Sequence, residues 1–238
     1  MTELQSNVLL AVSDLHAWYG ESHILHGASF SVKRGELVTL LGRNGAGKTS
    51  ILKSIMGLVG RRSGSILVND HETIRMQTHR IARLGIGYCP EERGIFTALN
   101  VEENLLLPPV IKAGGMSLDE IYDMFPNLLE RRKSVGTRLS GGEQQMLAMA
   151  RILRTGADLL LLDEVTEGLA PVIVQSIGRM VRKLKERGFT IILVEQNFHF
   201  AAELADRHYI IEHGAIADMI TREDVAGSRN TINRYLGV

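Results

Sequence analysis

One eight-residue segment, Gly42-Arg43-Asn44-Gly45-Ala46-Gly47-Lys48-Thr49, constrains this chain more than any other. It satisfies G-x-x-x-x-G-K-[ST] in full. A compact β-prone run, Glu36–Leu41 (ELVTLL), precedes it, and Lys48–Gly57 follows with Ile51, Leu52, Ile55 and Met56 at helical spacing. Strand, glycine loop and helix in that order make a phosphate cradle. Glycines lack a Cβ and tolerate positive φ, so the backbone can wrap an anion and aim its N–H groups inward. The helix adds the partial positive charge of its N-terminus. The alternative, an ordinary glycine-rich turn ahead of a helix, is disfavoured by the β run and the complete motif. Gly42, Asn44, Gly45, Ala46, Gly47 and Ser50 are therefore candidate nucleotide contacts. Lys48 is expected to reach the β- and γ-phosphates, and the Thr49 hydroxyl to hold Mg²⁺.

Downstream, Asp158–Asp163 (DLLLLD) and Phe189–Val194 (FTIILV) are built around apolar runs, as expected of strands covered on both faces of a parallel sheet. Pro171–Arg187 between them reads as a helix, with proline at its start, Gly188 as its stop, and Val174, Ile177, Val181 and Leu184 as its apolar stripe. Strand, helix, strand implies an α/β core with a parallel sheet. The first stretch of the chain reads as short strands broken by turns. Alternation over Ala28–Val32 ends at the turn signal Lys33-Arg34-Gly35. Residues 95–156 are helix-prone and interrupted at Pro108-Pro109 and Gly114-Gly115, which reads as a helical subdomain inserted into the core. Tyr209–Ile220 reads as a hairpin turning at His213-Gly214. Residues 1–238 thus form one domain, with 1–94 and 157–238 as core and β-subdomain and 95–156 as helical lobe.

With 238 residues, 45% hydrophobic and 23% charged, the chain can bury a large core. Its net charge is zero, so no overall basic field gathers nucleic acid. Arg61-Arg62 and Arg131-Arg132-Lys133 read as solvated surface. Cys89 is the only cysteine, which rules out an intrachain disulfide and fits a reducing compartment. The start of the chain lacks the basic and apolar pattern of a secretory signal, and no run approaches the roughly 18–20 apolar residues of a membrane helix.

Two acidic residues, Asp163 and Glu164, follow the four leucines at a strand end that opens into the ligand crevice of such sheets. Asp163 is expected to hold the metal, directly or through water, and Glu164 to orient the attacking water and act as its base. A solvated acidic pair is the alternative, weakened by the complete phosphate motif. A further segment, Leu139-Ser140-Gly141-Gly142-Glu143-Gln144, carries an S-x-x-E capping box ahead of an apolar-periodic helix. The box explains the helix start but not the two glycines, which make the helix mouth a second candidate anion site. Met146 and Met149 on that helix read as packing. His23 and His26 are close in sequence but lack a carboxylate or cysteine partner at ligand spacing. His199 reads as a helix-face residue.

LSGGEQ, lying between the phosphate loop and LLLLDE, resembles the signature of ATP-binding cassette (ABC) ATPases, and the resemblance spans nearly the whole chain. It implies an N-terminal antiparallel β-subdomain, ATP and Mg²⁺ as ligands, and head-to-tail pairing of two cassettes. In such a pair Ser140, Gly141, Gly142 and Glu143 of one chain would cover the γ-phosphate held by Lys48 of the other. Tyr19 matches the aromatic that stacks on adenine, although a tyrosine there also fits a core or edge-strand aromatic. Glu91, in YCPEE, falls where most cassettes carry a metal-linking glutamine, and Gln196, in VEQN, where most carry a switch histidine. A carboxylate can still ligate Mg²⁺ and an amide can still donate to phosphate. PEERGIF, GLAP and VEQN, with GRNGAGKT and VEENL, resemble the ATPase subunits of branched-chain amino acid importers and their urea and amide relatives. The resemblance implies a second ATPase subunit, identical or different, two transmembrane permease subunits, indirectly a solute-binding protein, and a place on the cytoplasmic face of the membrane. Soluble ABC ATPases acting on DNA or ribosomes generally carry two cassettes or a long coiled coil; this chain has one phosphate loop and no sustained heptads. A small-molecule kinase would carry an acceptor pocket and lid in place of LSGGEQ.

Overall fold

A computed structural model of the chain describes residues 7–228, 232 and 235. The outer ends of the 1–238 boundary therefore lie outside the described residues. The first two strands, β1 (Val8–Tyr19) and β2 (Ser22–Lys33), are each 12 residues long rather than the short strands expected. They pair antiparallel and, with β4 (Arg61–Val68) and β5 (His71–Glu72), form a sheet in the order β2-β1-β4-β5. The antiparallel sheet agrees with the alternation over Ala28–Val32; β1 and β4 were not anticipated individually.

The second sheet comprises β3 (Leu37–Leu41), β6 (Ile86–Cys89), β7 (Leu159–Asp163), β8 (Thr190–Glu195), β9 (Arg207–Glu212) and β10 (Ala215–Thr221), in the order β10-β9-β3-β8-β7-β6. Five of these strands run parallel, and β10 returns antiparallel to β9. His213 (φ 47°) and Gly214 (φ 74°) turn that hairpin, both in the left-handed region a tight primed turn requires.

The leucine run of β7 shows why its residues alternate no polar positions. Leu159 and Leu161 pack into the core shared with the antiparallel sheet, while Leu160 and Leu162 pack on the opposite side among the helices. In β8, Ile192 and Val194 face the first core and Ile191 and Leu193 the second. Each such side chain contributes about 1.5–3 kcal/mol of hydrophobic stabilisation on burial. A charge on either face would be stranded in a dry layer.

Helix α1 (Lys48–Ile55) follows the phosphate loop, and α2 (Thr78–Ala82) precedes β6. Between β6 and β7 lie α3 (Val101–Leu106), α4 (Leu118–Met124), α5 (Pro126–Glu130) and α6 (Gly141–Leu153). Among the described residues this segment contains no strand, only one isolated bridge between Asn100 and Val135. Then come α7 (Pro171–Glu186), with proline in its first turn, and α8 (Phe198–Leu204). No helix among the described residues is long and apolar enough to cross a membrane.

Arg62 departs from its expected place on a solvated surface. Its guanidinium donates to the carbonyls of Ser54 (2.6 Å), Ile74 (2.8 Å), Met76 (3.1 Å) and Thr73 (3.2 Å), tying α1 to the loop after β5. Arg131, Arg132 and Lys133 are exposed, as expected.

His208 in β9 is fully buried beneath Phe198, and its Nδ1 lies 2.7 Å from the Thr39 hydroxyl. Burial pushes its pKa down to about 4. The unfolded imidazole titrates near 6.5, so this residue's contribution is complete above that pH and is lost as pH falls through about 4. Urea midpoints measured from pH 7 to pH 4 should record a loss of about 3 kcal/mol from this group. His208→Gln should flatten that part of the profile, and an unchanged slope would remove His208 as its source.

Candidate nucleotide site

The parallel register brings the strand ends that carry the candidate residues to one edge of the sheet. Leu41 of β3 pairs with Glu195 of β8, and Val194 of β8 with Asp163 of β7. Cys89 of β6 pairs with Leu162, so the chain enters Tyr88-Cys89-Pro90-Glu91 beside the same edge. A cleft of about 460 Å³ opens there, lined by Tyr19, Ile24, the loop residues Asn44, Gly45 and Gly47–Ser50, and by Glu91, Glu164, Glu167 and Gln196.

The loop geometry needs glycine at two places. A Cβ on Gly42 would lie 2.4 Å from the Ile211 carbonyl oxygen. Gly47 sits at φ 109° as the N-cap of α1, and a Cβ there would meet Leu25 at 2.9 Å. The resulting cradle at the mouth of α1 suits a phosphate. Lys48 is buried, and its ammonium donates to the carbonyls of Gly42 (2.9 Å) and Arg43 (3.2 Å) while lying 3.5 Å from Glu164 Oε1.

Thr49 Oγ1 donates to Asp163 Oδ1 at 2.9 Å, and the hydroxyl of Tyr88 donates to Asp163 Oδ2 at the same distance. Burial raises the Asp163 pKa, opposed by these two hydrogen bonds and raised further by Glu164. A hydroxyl and a carboxylate, both oxygen donors, fit a hard divalent cation such as Mg²⁺. Glu91, the third expected metal ligand, lines the same cleft, its carboxylate within 4.8 Å of those of Glu164 and Glu167.

Glu164 has a left-handed backbone (φ 48°), and its N–H donates to Val194 O at 3.0 Å. Non-glycine residues rarely adopt that conformation, and such strain concentrates at functional positions. It lets the chain leave β7 abruptly and put the Glu164 carboxyl into the cleft, where Gln196 Nε2 donates to Oε2 at 2.9 Å. Burial disfavours the Glu164 charge, but hydrogen bonds with Glu167 and Gln196 and the charge of Lys48 outweigh it, holding the pKa below the usual carboxylate range. Glu167 takes the complementary role. Its hydrogen bond to Glu164, then burial and the Glu164 and Glu91 charges, push it up to about 7. Of the two, Glu167 is the more readily protonated and Glu164 the more readily ionised. Behind them, burial pushes Glu195 up to about 7 while the Thr166 hydroxyl donates to its oxygens at 2.9 and 3.0 Å.

The Ser140 segment is built as its capping box requires. Ser140 Oγ accepts from Glu143 N–H at 3.3 Å, and Glu143 Oε2 accepts from Ser140 N–H at 2.7 Å. Ser140, Gly141, Gly142 and Glu143 do not line the cleft around Lys48. Met146 and Met149 are buried, as expected of packing residues. The sequence assigns no role to Tyr88, Glu167 or the Glu195–Thr166 pair. Only the adjacency of Tyr88 to Glu91 and of Glu167 to Glu164 hinted at them.

Residues 25–167 match the sequence model of the family described as ABC transporter. Over 232 residues, 96% of the chain and 100% of the relative, it is 39% identical to the high-affinity branched-chain amino acid transport ATP-binding protein BraG of Pseudomonas aeruginosa. It is 37% identical to the "Probable branched-chain amino acid transport ATP-binding protein LivF" of Archaeoglobus fulgidus, covering 88% of the chain and 90% of that relative. It is also 32% identical to the lipopolysaccharide export system ATP-binding protein LptB of Escherichia coli, covering 96% and 97%. Among solved structures, an ATP-binding subunit of an ABC transporter superimposes with a TM-score of 0.80 at 27% identity, over 97% of this chain and 100% of the other. The phosphate loop, the acidic strand end and LSGGEQ thus have their explanation in common descent: this chain belongs to the ABC transporter family, as one of its ATP-binding ATPase subunits.

Proposed function

We propose that the chain energises a membrane importer for branched-chain or related amino acids, hydrolysing MgATP at the cleft between Lys48 and Glu164. The observation that carries the catalytic reading is the placement of the Glu164 carboxyl beside the phosphate loop, 3.5 Å from the Lys48 ammonium and accepting from Gln196 at 2.9 Å. Backbone N–H groups of the loop and Lys48 hold the β- and γ-phosphates, Ser50 and Asn44 edge the cradle, and Tyr19 (45% exposed) offers its ring to adenine. Thr49 and Asp163 would hold Mg²⁺, with Glu91 on the β6 side, and the ion would supply positive charge to the phosphates. Glu164 accepts the proton of the attacking water, and Gln196 fixes the orientation of that carboxylate. Glu167, whose pKa the neighbouring carboxylates push up to about 7, takes up a proton more readily than Glu164 and so favours the charge on Glu164.

In the same reading two ATPase subunits, identical or different, pair head to tail. Ser140, Gly141 and Gly142 of one cover the phosphate at Lys48 of the other, while Glu143 keeps that helix mouth in shape. The helical lobe of residues 95–156 joins the Glu91 segment to the Ser140 helix, and so passes closure of the pair to two permease subunits at the cytoplasmic face. BraG and LivF support amino acids as the cargo. The likeness to LptB favours a second reading, an exporter motor, and co-purification with permeases of one or the other type separates them.

Glu164→Gln should leave ATP affinity within about threefold of the parent while turnover falls by roughly 10²–10⁴, the usual contribution of a general base. ATP binding measured by calorimetry alongside phosphate release checks both arms. Near-normal hydrolysis would remove Glu164 from its role. Tyr88→Phe deletes the donor on Asp163 Oδ2 and keeps the ring. Outer contacts to metal ligands are typically worth about 10–100-fold, so the Mg²⁺ concentration for half-maximal ATPase should rise at least about tenfold. An unaltered Mg²⁺ dependence would show that Tyr88 does not position Asp163.

A further inference from the structure

The sequence leaves His23 and His26 without a ligand-type partner, and the fold supplies one. In the β1–β2 register His16 pairs with His26 and Trp18 with His23, which gathers the imidazoles on one stretch of the hairpin. His16 Nδ1 lies 3.1 Å from His23 Nε2. The other nitrogen of the same ring, His16 Nε2, lies 3.2 Å from Asp14 Oδ1. A carboxylate is an acceptor, so it fixes the hydrogen on Nε2 and turns the Nδ1 lone pair toward His23. Metal-bound histidines are commonly oriented in this way, with the second ring nitrogen donating to a carboxylate.

The backbone is shaped for that contact. Asp14 has φ 49° and sits where the β1–β2 and β1–β4 registers both shift. Such bulges re-aim a side chain. Across the pair, Gly27 occupies φ 85°, and a Cβ there would lie 3.0 Å from Asp14 Oδ1. Glycine keeps the space beside the carboxylate open.

We propose that His16 Nδ1 and His23 Nε2 chelate a borderline divalent transition-metal ion of the Zn²⁺, Ni²⁺ or Cu²⁺ class, at a site separate from the nucleotide cleft. With metal–nitrogen bonds of about 2.0–2.1 Å, nitrogens 3.1 Å apart subtend roughly 100° at the metal, between the tetragonal and tetrahedral angles. Imidazole nitrogen selects these ions over Mg²⁺, which prefers oxygen. The His26 ring centre lies 4.1 Å from that of His23, making it the nearest third imidazole. Occupancy would pin β1 to β2 beside the turn at Gly20, next to Tyr19.

Trp18 is the chain's only tryptophan and stacks on His23 with centroids 4.4 Å apart and planes 10° from parallel. It reports on the site directly. Tag-free, chelator-stripped full-length protein is titrated with Ni²⁺ while Trp18 emission is followed. The expected result is a saturating, one-to-one quench, reversed by Zn²⁺ and by chelator. His16→Asn and His23→Asn should each weaken binding at least about tenfold, and Asp14→Asn about tenfold through loss of ring orientation. Thermal melts followed by circular dichroism verify folding of each variant. The Asp14 side chain is 81% exposed, so its variant remains informative if a histidine variant fails to fold. A quench that does not saturate, or equal affinity in a folded His16→Asn, His23→Asn or Asp14→Asn variant, would overturn the assignment.

Discussion

The hydrogen bond between the Thr49 hydroxyl and Asp163 Oδ1, 2.9 Å long, depends on everything that precedes it in the fold. Thr49 stands in the first turn of α1 and Asp163 at the end of β7, strands β3 and β7 being separated in the sheet by β8. Only parallel strands in this register deliver both residues to one edge. A one-residue slip in β7 would turn Asp163 to the opposite face. The dry layers on both sides of β7 and β8 forbid that slip, because each face is already filled by leucine, isoleucine or valine. Packing, rather than any contact within the cleft, thus sets the position of the polar groups.

Charge in the cleft follows from the same placement. Lys48, Glu164, Glu167 and Gln196 stand close in a partly desolvated space, where like charges cannot all persist. The hydrogen bonds from Glu167 and Gln196 and the charge of Lys48 favour ionised Glu164, while the pKa of Glu167 is pushed up. The left-handed backbone at Glu164 is one cost of that geometry. A carboxylate held between two fixed neighbours is positioned for the base role proposed for Glu164. Gln196, standing where a histidine is usual, supports that proposal as a hydrogen-bond donor to Glu164.

Much of this could be read from the chain because its signals are local. The phosphate loop, the acidic strand end, the capping box at Ser140, the α7 helix and the β9–β10 hairpin all rest on residues close in sequence, and each lies within a few residues of its expected place. What escaped depends on pairing across distance. Strand β4 begins Arg61-Arg62-Ser63-Gly64 and shows no hydrophobic alternation there, and Arg62 donates to carbonyls contributed by separate segments of the chain. Tyr88 becomes a partner of Asp163 only because β6 lies beside β7. The approach of Glu91 to Glu164 and Glu167 also depends on which side of the cleft its loop enters, and sequence order carries no information about that. The meeting of Asp14, His16 and His23 likewise needs the bulge in β1.

The Ser140 helix mouth is formed as its cap dictates, yet it is absent from the walls around Lys48. The proposed mechanism resolves this by closing each nucleotide between two chains. Arg43 and Ser140 are both exposed. The double variant Arg43→Cys and Ser140→Cys, in a chain that also carries Cys89→Ala, tests that closure with a short bifunctional thiol reagent. With MgATP or a non-hydrolysable analogue, the account predicts a covalent dimer in which the introduced thiol of the phosphate loop in one chain is joined to that of the helix mouth in its partner, and little product without nucleotide. A crosslink confined to single chains, or dimers formed equally with and without nucleotide, would contradict it.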